Sequence, residues 1–358
     1  MPFDVKVYVV RMTSKYFSKF GTLPMYSAGF ISSYTFARAI TYAVSILYSS
    51  DVREFINSLK NDNIRFSSFF PLIDVNSKSQ IFLIPIPLLL KIHLAQNLTK
   101  GHRRALGIIK RLRWISTDTL QTLLGILGKG IQIEYKEIDG KEALVIESDG
   151  SNSLMISGNI LHSHPIQIPP IGIKPGGIIH THNIIDRISC ATDIYHLEYL
   201  YFRTKLYFVV ASKNQEMMHR VDSAIKLLGE LGLGSKRTVG SGKFRIVKIL
   251  EADKPVVKLF KDLINTKGTH WVSLGYYIPD ENVLEHIDWN RSFVEHTQIW
   301  GLSGIISPQR IPLTFPAKEG STFALKTADS IPKGDIKIFI GDGHEQLLYF
   351  SPIMIALY

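Results

Sequence analysis

Hydrophobic and polar residues alternate near the start of the chain and then change to a helical spacing. Val5, Val7 and Val9 recur at every second position, which predicts a strand over 5–11. Two helices are predicted next, the first capped by Ser33; their apolar positions are Phe36, Ile40, Val44 and Leu47, then Val52, Phe55, Ile56 and Leu59. Two extended runs, 66–72 and 80–86, complete the order strand, helix, helix, strand, strand.

A second unit of the same kind occupies residues 205–250. The run 205–211 has the composition of a buried strand, and 244–250 is extended again. Between them, Ser212 and Gln215 fit a capping box for a helix that ends at Gly229. The two units together have the β-α-β, β-α-β order of a ferredoxin-like (RRM-like) domain, so the predicted fold class is α+β.

A large insertion separates these units, at about 95–200. It contains a helix predicted to begin after Ser116 and to end at Gly128, and Asp139-Gly140 between two alternating runs predicts a hairpin. The Pro- and Gly-rich stretch 165–177 is predicted to be a loop. We therefore assign 1–252 to the ferredoxin-like domain with its insertion, and 253–358 to a smaller, mostly β domain.

Composition narrows the class of protein. The 358 residues are 45% hydrophobic and 20% charged, which excludes a disordered, collagen-like or coiled-coil chain. The single cysteine allows no internal disulfide and favours a reducing compartment. The longest apolar run, 81–90, is far short of the ~20 residues of a membrane helix, and no signal peptide is read. We expect a soluble cytoplasmic protein without a membrane partner.

The net charge of +10 is concentrated in two windows. Residues 75–117 contain eight basic and no acidic residues, and 231–250 contain five basic and no acidic residues. Such concentrated positive charge is typical of a surface that binds a polyanion, because neutralised phosphates release their counterions. Nucleic acid is the favoured partner, and an ordinary solvated basic face is the alternative.

The glycine-rich segment 229–244 is the most informative motif. It contains Gly229, Gly232, Gly234, Gly240 and Gly242 among Ser235, Lys236, Arg237, Ser241 and Lys243. Glycines let a ligand approach the main chain, so that successive amides can bind an anion. Nucleotide-binding loops run from a strand into a helix, whereas this segment leaves a helix and enters a strand. The order of elements therefore argues against a nucleoside triphosphatase or a dinucleotide enzyme.

Two histidine pairs suggest a second kind of site. His162 and His164, with His180 and His182, could supply four metal ligands if each pair lay on a strand. Surface or RNA-contacting histidines are the favoured alternative. The segment from His182 through Asn183, Asp186 and Arg187 can hydrogen-bond bases and sugars, and tyrosines at 195, 199 and 201 can stack on unpaired bases.

The glycine segment, placed after the second helix of a ferredoxin-like unit, resembles the signature of the RAMP superfamily of CRISPR proteins. The residues 182–187 resemble the Asn-Arg-x-Asp-Arg segment of that superfamily, and segments 32–36, 82–85 and 318–323 also align. Together they resemble the fourth subunit, a member of the Cas-five-like group, of the type III-A Csm interference complex.

The resemblance implies a non-catalytic subunit that holds the repeat-derived 5′ tag of the CRISPR RNA. It also implies docking to the large palm-domain subunit and to a neighbouring RAMP backbone subunit, with no cofactor. The RNA-binding residues it implies are Gly232, Gly234, Ser235, Lys236, Arg237, Gly240, Ser241, Gly242, Lys243, His182, Asn183, Asp186, Arg187, Ser33 and Thr35.

Two enzymes remain as alternatives. A RAMP-type, metal-independent endoribonuclease that processes CRISPR precursor RNA would need a general base and a general acid, for which His93, His102, His182 and Tyr16 are available. A metal hydrolase would need the four histidines.

Overall fold

The computed structural model describes residues 1–16, 30–75, 79–100, 102–125, 132–138, 141–147, 152–163, 175–303, 309–328, 331–341 and 344–357. The helices in these ranges are α1 (Ser33–Leu47), α2 (Val52–Lys60), α3 (Leu88–Gln96), α4 (His102–Arg111), α5 (Thr117–Leu124), α6 (Gln215–Leu231), α7 (Pro255–Asn265) and α8 (Glu281–Leu284). Among them, no helix has the length and apolar character needed to span a membrane.

The strands follow the same chain order. Those of the first 175 residues are β1 (Asp4–Met12), β2 (Ile64–Phe66), β3 (Phe70–Asp74), β4 (Gln80–Pro85), β5 (Leu98–Lys100), β6 (Trp114–Ser116), β7 (Gln132–Ile138), β8 (Lys141–Glu147), β9 (Asn152–Ser157) and β10 (Ile160–His162). The later strands are β11 (Gly176–Ile185), β12 (Thr192–Tyr201), β13 (Lys205–Ser212), β14 (Phe244–Leu250), β15 (His270–Ser273), β16 (Ile287–Phe293), β17 (Ile299–Ser303), β18 (Gln309–Thr314), β19 (Thr322–Leu325), β20 (Asp335–Gly341), β21 (His344–Phe350) and β22 (Met354–Ala356).

A large mixed sheet organises the described chain. Its strand order is β14-β1-β13-β3-β4-β6-β10-β9-β8-β7-β5, and β2 pairs with β13 beside β3. At one end, β1 lies antiparallel between β13 and β14, with Val7 opposite Val209 and Leu250. The insertion therefore extends the same sheet, because β4 pairs with β6 and the predicted hairpin forms β7 and β8.

The two long helices cover one face of this end of the sheet. Phe36, Ile40 and Val44 of α1 pack with Val221 and Ile225 of α6 and with the sheet residues Tyr8, Val10, Phe208 and Val210. Alternation along β1 and β13 sends the next residues to the opposite face, where Val5, Val7, Tyr207 and Val209 contact α7. The predicted alternation of Val5, Val7 and Val9 identifies one of these faces, and buried Tyr8 and Val10 make the other face apolar as well.

Three predicted helix boundaries are wrong by a few residues. Ser32, not Ser33, caps α1, because its side chain accepts from the Thr35 amide. Asn214 replaces the predicted Ser212–Gln215 box and accepts from the amides of Glu216 and Met217. The helix α6 continues through Gly229 and ends at Gly232, whose φ of 84° lies in the region that glycine tolerates.

The insertion differs from its prediction in two places. Gly176 and Gly177, predicted as loop, begin the long strand β11, which pairs with β12 as a separate two-stranded hairpin. Ser116 caps α5 as predicted, but α5 ends at Leu124, before the predicted end at Gly128, which lies outside the described residues.

The C-terminal region is strand-rich, as predicted, and forms a four-stranded sheet, β16-β19-β15-β22, with two further hairpins, β17–β18 and β20–β21. Val272 and Ile355 of this smaller sheet share a core with α7 and with β1 and β13 of the large sheet. On the other side, Tyr349 of β21 packs into the core around α1. The predicted α+β class is therefore confirmed, and the boundary at residue 252 stays a prediction.

Candidate nucleic-acid interface

The glycine-rich segment folds into a loop that is closed by its own main chain. Gly232, Gly234, Gly240 and Gly242 all have φ between 77° and 84°. A Cβ atom on Gly242 would lie 1.9 Å from the Leu233 carbonyl oxygen, and one on Gly232 would lie 2.4 Å from that of Ser241. Gly232, Ser241 and Gly242 are buried. Contrary to prediction, these three residues close the loop instead of lining its surface.

The middle of this loop presents a run of backbone amides. Lys236 has a left-handed φ of 59° and begins a short 3₁₀ turn over Arg237–Val239. The amides of Val239, Gly240 and Ser241 are used within the loop, since they donate to the carbonyls of Lys236 or Arg237. The amides of residues 234–238, by contrast, donate to no described carbonyl or side chain. Consecutive free amides around left-handed residues form an anion-binding nest.

The hairpin of β11 and β12 rises beside this loop and has two different faces. Register pairs His182 with Tyr195 and Ile178 with Tyr199, so these residues share one face, here called the inner face. The neighbouring residues point the other way and form the outer face, which includes Ile179, Thr181, Asn183, Ile185, Thr192, Ile194 and His196. The sequence prediction grouped His182 with Asn183, and the pleat separates them.

The inner face meets the glycine loop and the end of β1. Lys15 Nζ lies 2.6 Å from His180 Nε2 and 5.7 Å from the centre of the Tyr199 ring. Lys236 Nζ, in the amide run, lies 5.9 Å from the centre of the Tyr195 ring. The Gly242 amide donates to the Lys15 carbonyl at 2.7 Å, which ties the loop to the segment that carries Lys15.

Ring contacts hold the inner face together. The rings of His182 and Tyr195 stack 5.3 Å apart at an angle of 20°, and the Tyr199 ring packs edge-on against His180. Burial, followed by the nearby Tyr195, raises the pKa of Tyr199, so its hydroxyl stays protonated at neutral pH. We call Lys15, His180, His182, Tyr195, Tyr199 and Lys236 the basic–aromatic cluster.

Several cations of the glycine-rich segment and β14 surround this cluster. Arg237 stacks on the Tyr42 ring, 4.8 Å from its centre. Within the described ranges, none of Lys236, Arg237, Lys243, Arg245 and Lys248 forms an ion pair with an acidic side chain. As far as the described residues go, the second basic window therefore places cations without an ion pair beside loop amides without a hydrogen bond.

At the tip of the hairpin, the side chain of Asp186 stabilises the turn. Its Oδ1 accepts from the amides of Ile188 and Ser189, and these backbone hydrogen bonds lower the pKa of the carboxyl group. Arg187 is exposed beside it. The tip thus presents Arg187 to solvent, while Asp186 shapes the turn.

The two predicted residues at the start of α1 lie elsewhere. Ser33 is fully buried, and its Oγ accepts from the Tyr276 amide at 3.1 Å. The predicted phosphate contact from Ser33 is therefore wrong, because the hydroxyl is enclosed by the C-terminal region. Thr35 is half-buried, with its Oγ1 3.2 Å from Ser32 Oγ.

The four histidines do not come together in the described part of the chain. His162 is buried in β10, 2.9 Å from Ser157 Oγ, whereas His180 and His182 lie on the hairpin. His164 lies outside the described residues. No group of three or more His, Cys, Asp or Glu side chains in the described ranges is placed to hold a metal ion.

Residues that sequence reasoning missed complete the site. Lys15 belongs to no motif, and its partner His180 lies 165 residues away, so no local signal could have joined them. His180 was considered as a metal ligand or as a surface or RNA-contacting histidine, but it was not among the predicted RNA-binding residues. Tyr195 and Tyr199 were proposed as stacking residues, and the structure places both beside the histidines.

The chain was compared with protein families, with curated proteins and with solved structures. No family model matches the chain. The CRISPR system Cms protein Csm4 of Methanocaldococcus jannaschii is 23% identical over 365 residues, covering 93% of this chain and 85% of the relative. The chain is Csm4-like. The predicted resemblance to the fourth subunit of the type III-A Csm complex is thereby confirmed.

Solved structures share the fold over nearly all of the chain. A chain of the Csm3–Csm4 subcomplex in the type III-A CRISPR-Cas interference complex superposes with a TM-score of 0.56 at 17% identity, covering 98% of both chains. A chain of the Csm1–Csm4 cassette in complex with cA4 superposes with a TM-score of 0.53 at 13% identity, covering 99% of this chain and 98% of the other.

Proposed function

We propose that this Csm4-like chain is a non-catalytic subunit of a type III CRISPR effector complex that binds the repeat-derived 5′ tag of the CRISPR RNA. The observation that carries the proposal is the meeting of the amide run 234–238 with the basic–aromatic cluster, through Lys236 and Tyr195. A single RNA strand needs both parts, because amides and cations bind phosphates while aromatic rings stack on unpaired bases.

The architecture of the first unit supports a RAMP assignment. In the order β14-β1-β13-β3, with α1 and α6 on one face, the unit has the 4-1-3-2 strand order of a ferredoxin-like domain. We assign 1–252 to this RAMP domain with its insertion and 253–358 to the smaller β-rich domain. In this arrangement the glycine loop connects the second helix to the last strand.

The proposed path of the RNA follows those predicted RNA-binding residues that lie at the surface. Phosphates bind the amides of Gly234, Ser235 and Lys236, together with the side chains of Lys15 and Lys236. Arg237, Gly240 and Lys243 border the same loop and are at least partly exposed. Half-exposed His182 and Tyr195 face an unpaired base, and Arg187 reaches the strand from the hairpin tip.

The partners of the relatives suggest the partners of this chain. Structures with related chains describe a Csm3–Csm4 subcomplex and a Csm1–Csm4 cassette. We propose that the chain docks a Csm3-like backbone subunit and a Csm1-like large palm-domain subunit.

Charge reversal tests the RNA site. The variant Lys236→Glu/Arg237→Glu is titrated against a fluorescent single-stranded RNA that carries the 5′ tag, and anisotropy gives the affinity. We expect the RNA affinity to fall about tenfold or more. The slope of log affinity against log salt concentration should become less steep by about 1.4, because each phosphate contact of single-stranded RNA contributes about 0.7 to that slope and two contacts are removed. Unchanged affinity and slope would exclude the loop as the RNA site.

The matched control applies the same charge change in the first basic window, at the end of α4 and just before β6. Lys110→Glu/Arg113→Glu reverses two exposed cations that have no ion pair in the described chain. We expect it to retain affinity within about twofold, because only charges near the bound phosphates carry the contact. Equal losses in both variants would show non-specific attraction by net charge.

A metal-independent ribonuclease is the second candidate, and one observation favours it. His180 lies beside Lys15, and His182 Nε2 is 3.4 Å from the Tyr199 hydroxyl, on the same face. These are residue types that act as acid and base on RNA. Incubating the chain with repeat RNA in EDTA decides between the two functions. Cleavage that is lost in His182→Ala would replace the scaffold proposal, and intact RNA would retain it.

A further inference from the structure

We propose that a groove between α3, α4 and the end of β16 binds a small amphiphilic anion, that is, a molecule with an aliphatic body and one carboxylate group. Two walls of this groove belong to the first basic window, 75–117, to which the proposed RNA site gives no role. The groove shares no residue with the glycine loop or with the basic–aromatic cluster, so this ligand site stands independently of RNA binding.

The groove has the size and the apolar surface that such a ligand needs. Its volume is about 520 Å³, within the range of roughly 300–1,000 Å³ typical of small-molecule sites. Its apolar lining includes Ile92 and Ala95 of α3, Leu106 of α4, and Phe293 and Val294 at the end of β16. These side chains are only half-buried, so they leave apolar surface that an aliphatic chain can cover.

Two lysines give the groove its charge. Lys91 and Lys110 both line it, and Lys91 Nζ donates to the Lys110 carbonyl at 3.2 Å. Within the described ranges this is the one hydrogen bond of the Lys91 ammonium group, which has three N–H donors. Burial lowers the pKa of Lys91, and nearby Arg113 lowers it as well. An anion in the groove would therefore meet a half-buried ammonium group with donors to spare.

The other polar groups of the groove are already occupied. Glu295 acts on Lys91 in the opposite sense to Arg113, but its carboxylate pairs with Lys318 at 3.3 Å. The hydroxyl of Ser292 donates to one backbone carbonyl and accepts from one backbone amide. The two lysines are thus the groups left to bind the polar end of a ligand, and they select an anion.

The lining favours an aliphatic ligand over a nucleotide or RNA. Phe293 is the one aromatic side chain among the described lining residues, whereas unpaired bases bind mainly by stacking on rings. A ligand here would contact the insertion through α3 and α4, and the C-terminal sheet through β16. Because it binds the folded chain, it should also stabilise this junction.

Calorimetric titration of the full-length chain with three eight-carbon probes tests the charge preference. We expect octanoate to bind at a single site and 1-octanol to bind at least about tenfold more weakly, because charge-assisted hydrogen bonds to the lysines are lost. Octylammonium should not bind, since its charge has the sign of the lysines. Lys91→Gln/Lys110→Gln should lower octanoate affinity about tenfold. The matched control Lys258→Gln/Lys267→Gln, at two exposed lysines outside the groove, should keep it within about twofold.

A second variant tests the apolar part without a change of charge. Ala95→Phe fills the groove from α3 and should also lower octanoate affinity about tenfold, with circular dichroism as the check of folding. No octanoate binding by the wild type, equal affinity for octanoate and octanol, or full affinity in the lysine variant would each overturn the proposed site. Displacement of octanoate by an equimolar amount of the 5′-tag RNA would assign the groove to nucleic acid instead.

Discussion

The two basic windows of the sequence, 75–117 and 231–250, have different positions and neighbours in the folded chain. One contains α4, which lies near β5 and β7 at one edge of the large sheet, and the other ends in β14 at the opposite edge. The sequence predicted the same role for both, but α4 and β14 place their cations at opposite ends of the sheet. The comparison shows that a charge count identifies candidates, and that the position of each window in the sheet selects between them.

The first window meets acidic residues that are distant in sequence. Arg104 lies 4.0 Å from Glu137 and 3.9 Å from Glu142, and Arg111 also lies 3.9 Å from Glu142, on the β7–β8 hairpin. Lys91 donates to the Lys110 carbonyl, and burial lowers its pKa. The charges are thus spread over separate elements and partly compensated.

The cations of the second window lie beside the backbone amides of the glycine loop and beside the rings of Tyr195 and Tyr42 instead. Its cations have no described acidic partner, and Lys236 projects from a run of free amides toward Tyr195. The physical difference is therefore the neighbourhood of the charges, since an anion gains most where cations and free donors converge.

Glycine-to-alanine changes should give the largest difference between the two windows, measured as the change in the free energy of unfolding. Gly242→Ala places a Cβ against the Leu233 backbone at positive φ, so we expect the free energy of unfolding to fall by roughly 2–4 kcal/mol. Gly107→Ala, in the middle of α4 with open space around it, should raise that energy by about 0.5–1 kcal/mol. Urea denaturation followed by circular dichroism measures both. Changes of the same sign would contradict the close packing of the loop.

Removal of single cations should give the next largest effect. Lys15→Ala is expected to weaken binding of the 5′-tag RNA about tenfold, because a charge-assisted contact contributes about 1.5–3 kcal/mol. Arg103→Ala, an exposed cation of the first window without a described ion pair, should leave the affinity within about twofold. Anisotropy titrations measure both. Similar losses would mean that both edges of the sheet bind RNA.

The ion pairs of the first window should give the smallest effect. A double-mutant cycle with Arg111→Ala and Glu142→Ala is expected to show a coupling below about 0.5 kcal/mol, because the pair is long and Arg111 is mostly exposed. Urea denaturation of the four proteins measures it. A coupling above about 1.5 kcal/mol would show that pairing, and not position, distinguishes the windows.

Local patterns predicted the regular elements well where the signal was short-range. The strand β1, the helix α2 and the hairpin β7–β8 were all expected, because alternation, helical spacing and an Asp-Gly turn are properties of neighbouring residues. The hairpin β11–β12 was missed, although His180 and His182 already suggested a strand. Its partly polar, partly exposed residues lack the clear alternation of a half-buried strand.

The part of the site that was predicted also has a short-range signal. The glycine loop was found because positive φ restricts the residue type at Gly232 and Gly242. Which glycines close the loop and which border its surface depends on the approach of Leu233 and Ser241, and this was predicted wrongly. Lys15 and the two faces of the hairpin depend on contacts across the fold.

The sequence by itself determined the α+β class, the main strands and helices, the glycine loop and the resemblance to a Csm subunit. The fold class, the elements and the loop follow from side-chain periodicity and from backbone conformations that only certain residues adopt, whereas the resemblance rests on the similarity of a few motif segments. Only the tertiary structure decided which basic window faces the rings of the hairpin, that Ser33 is enclosed, and that Lys15 joins His180 and Tyr199. Those outcomes depend on residues brought together from distant parts of the chain, and no local pattern encodes the neighbour that a charge or a hydroxyl will meet.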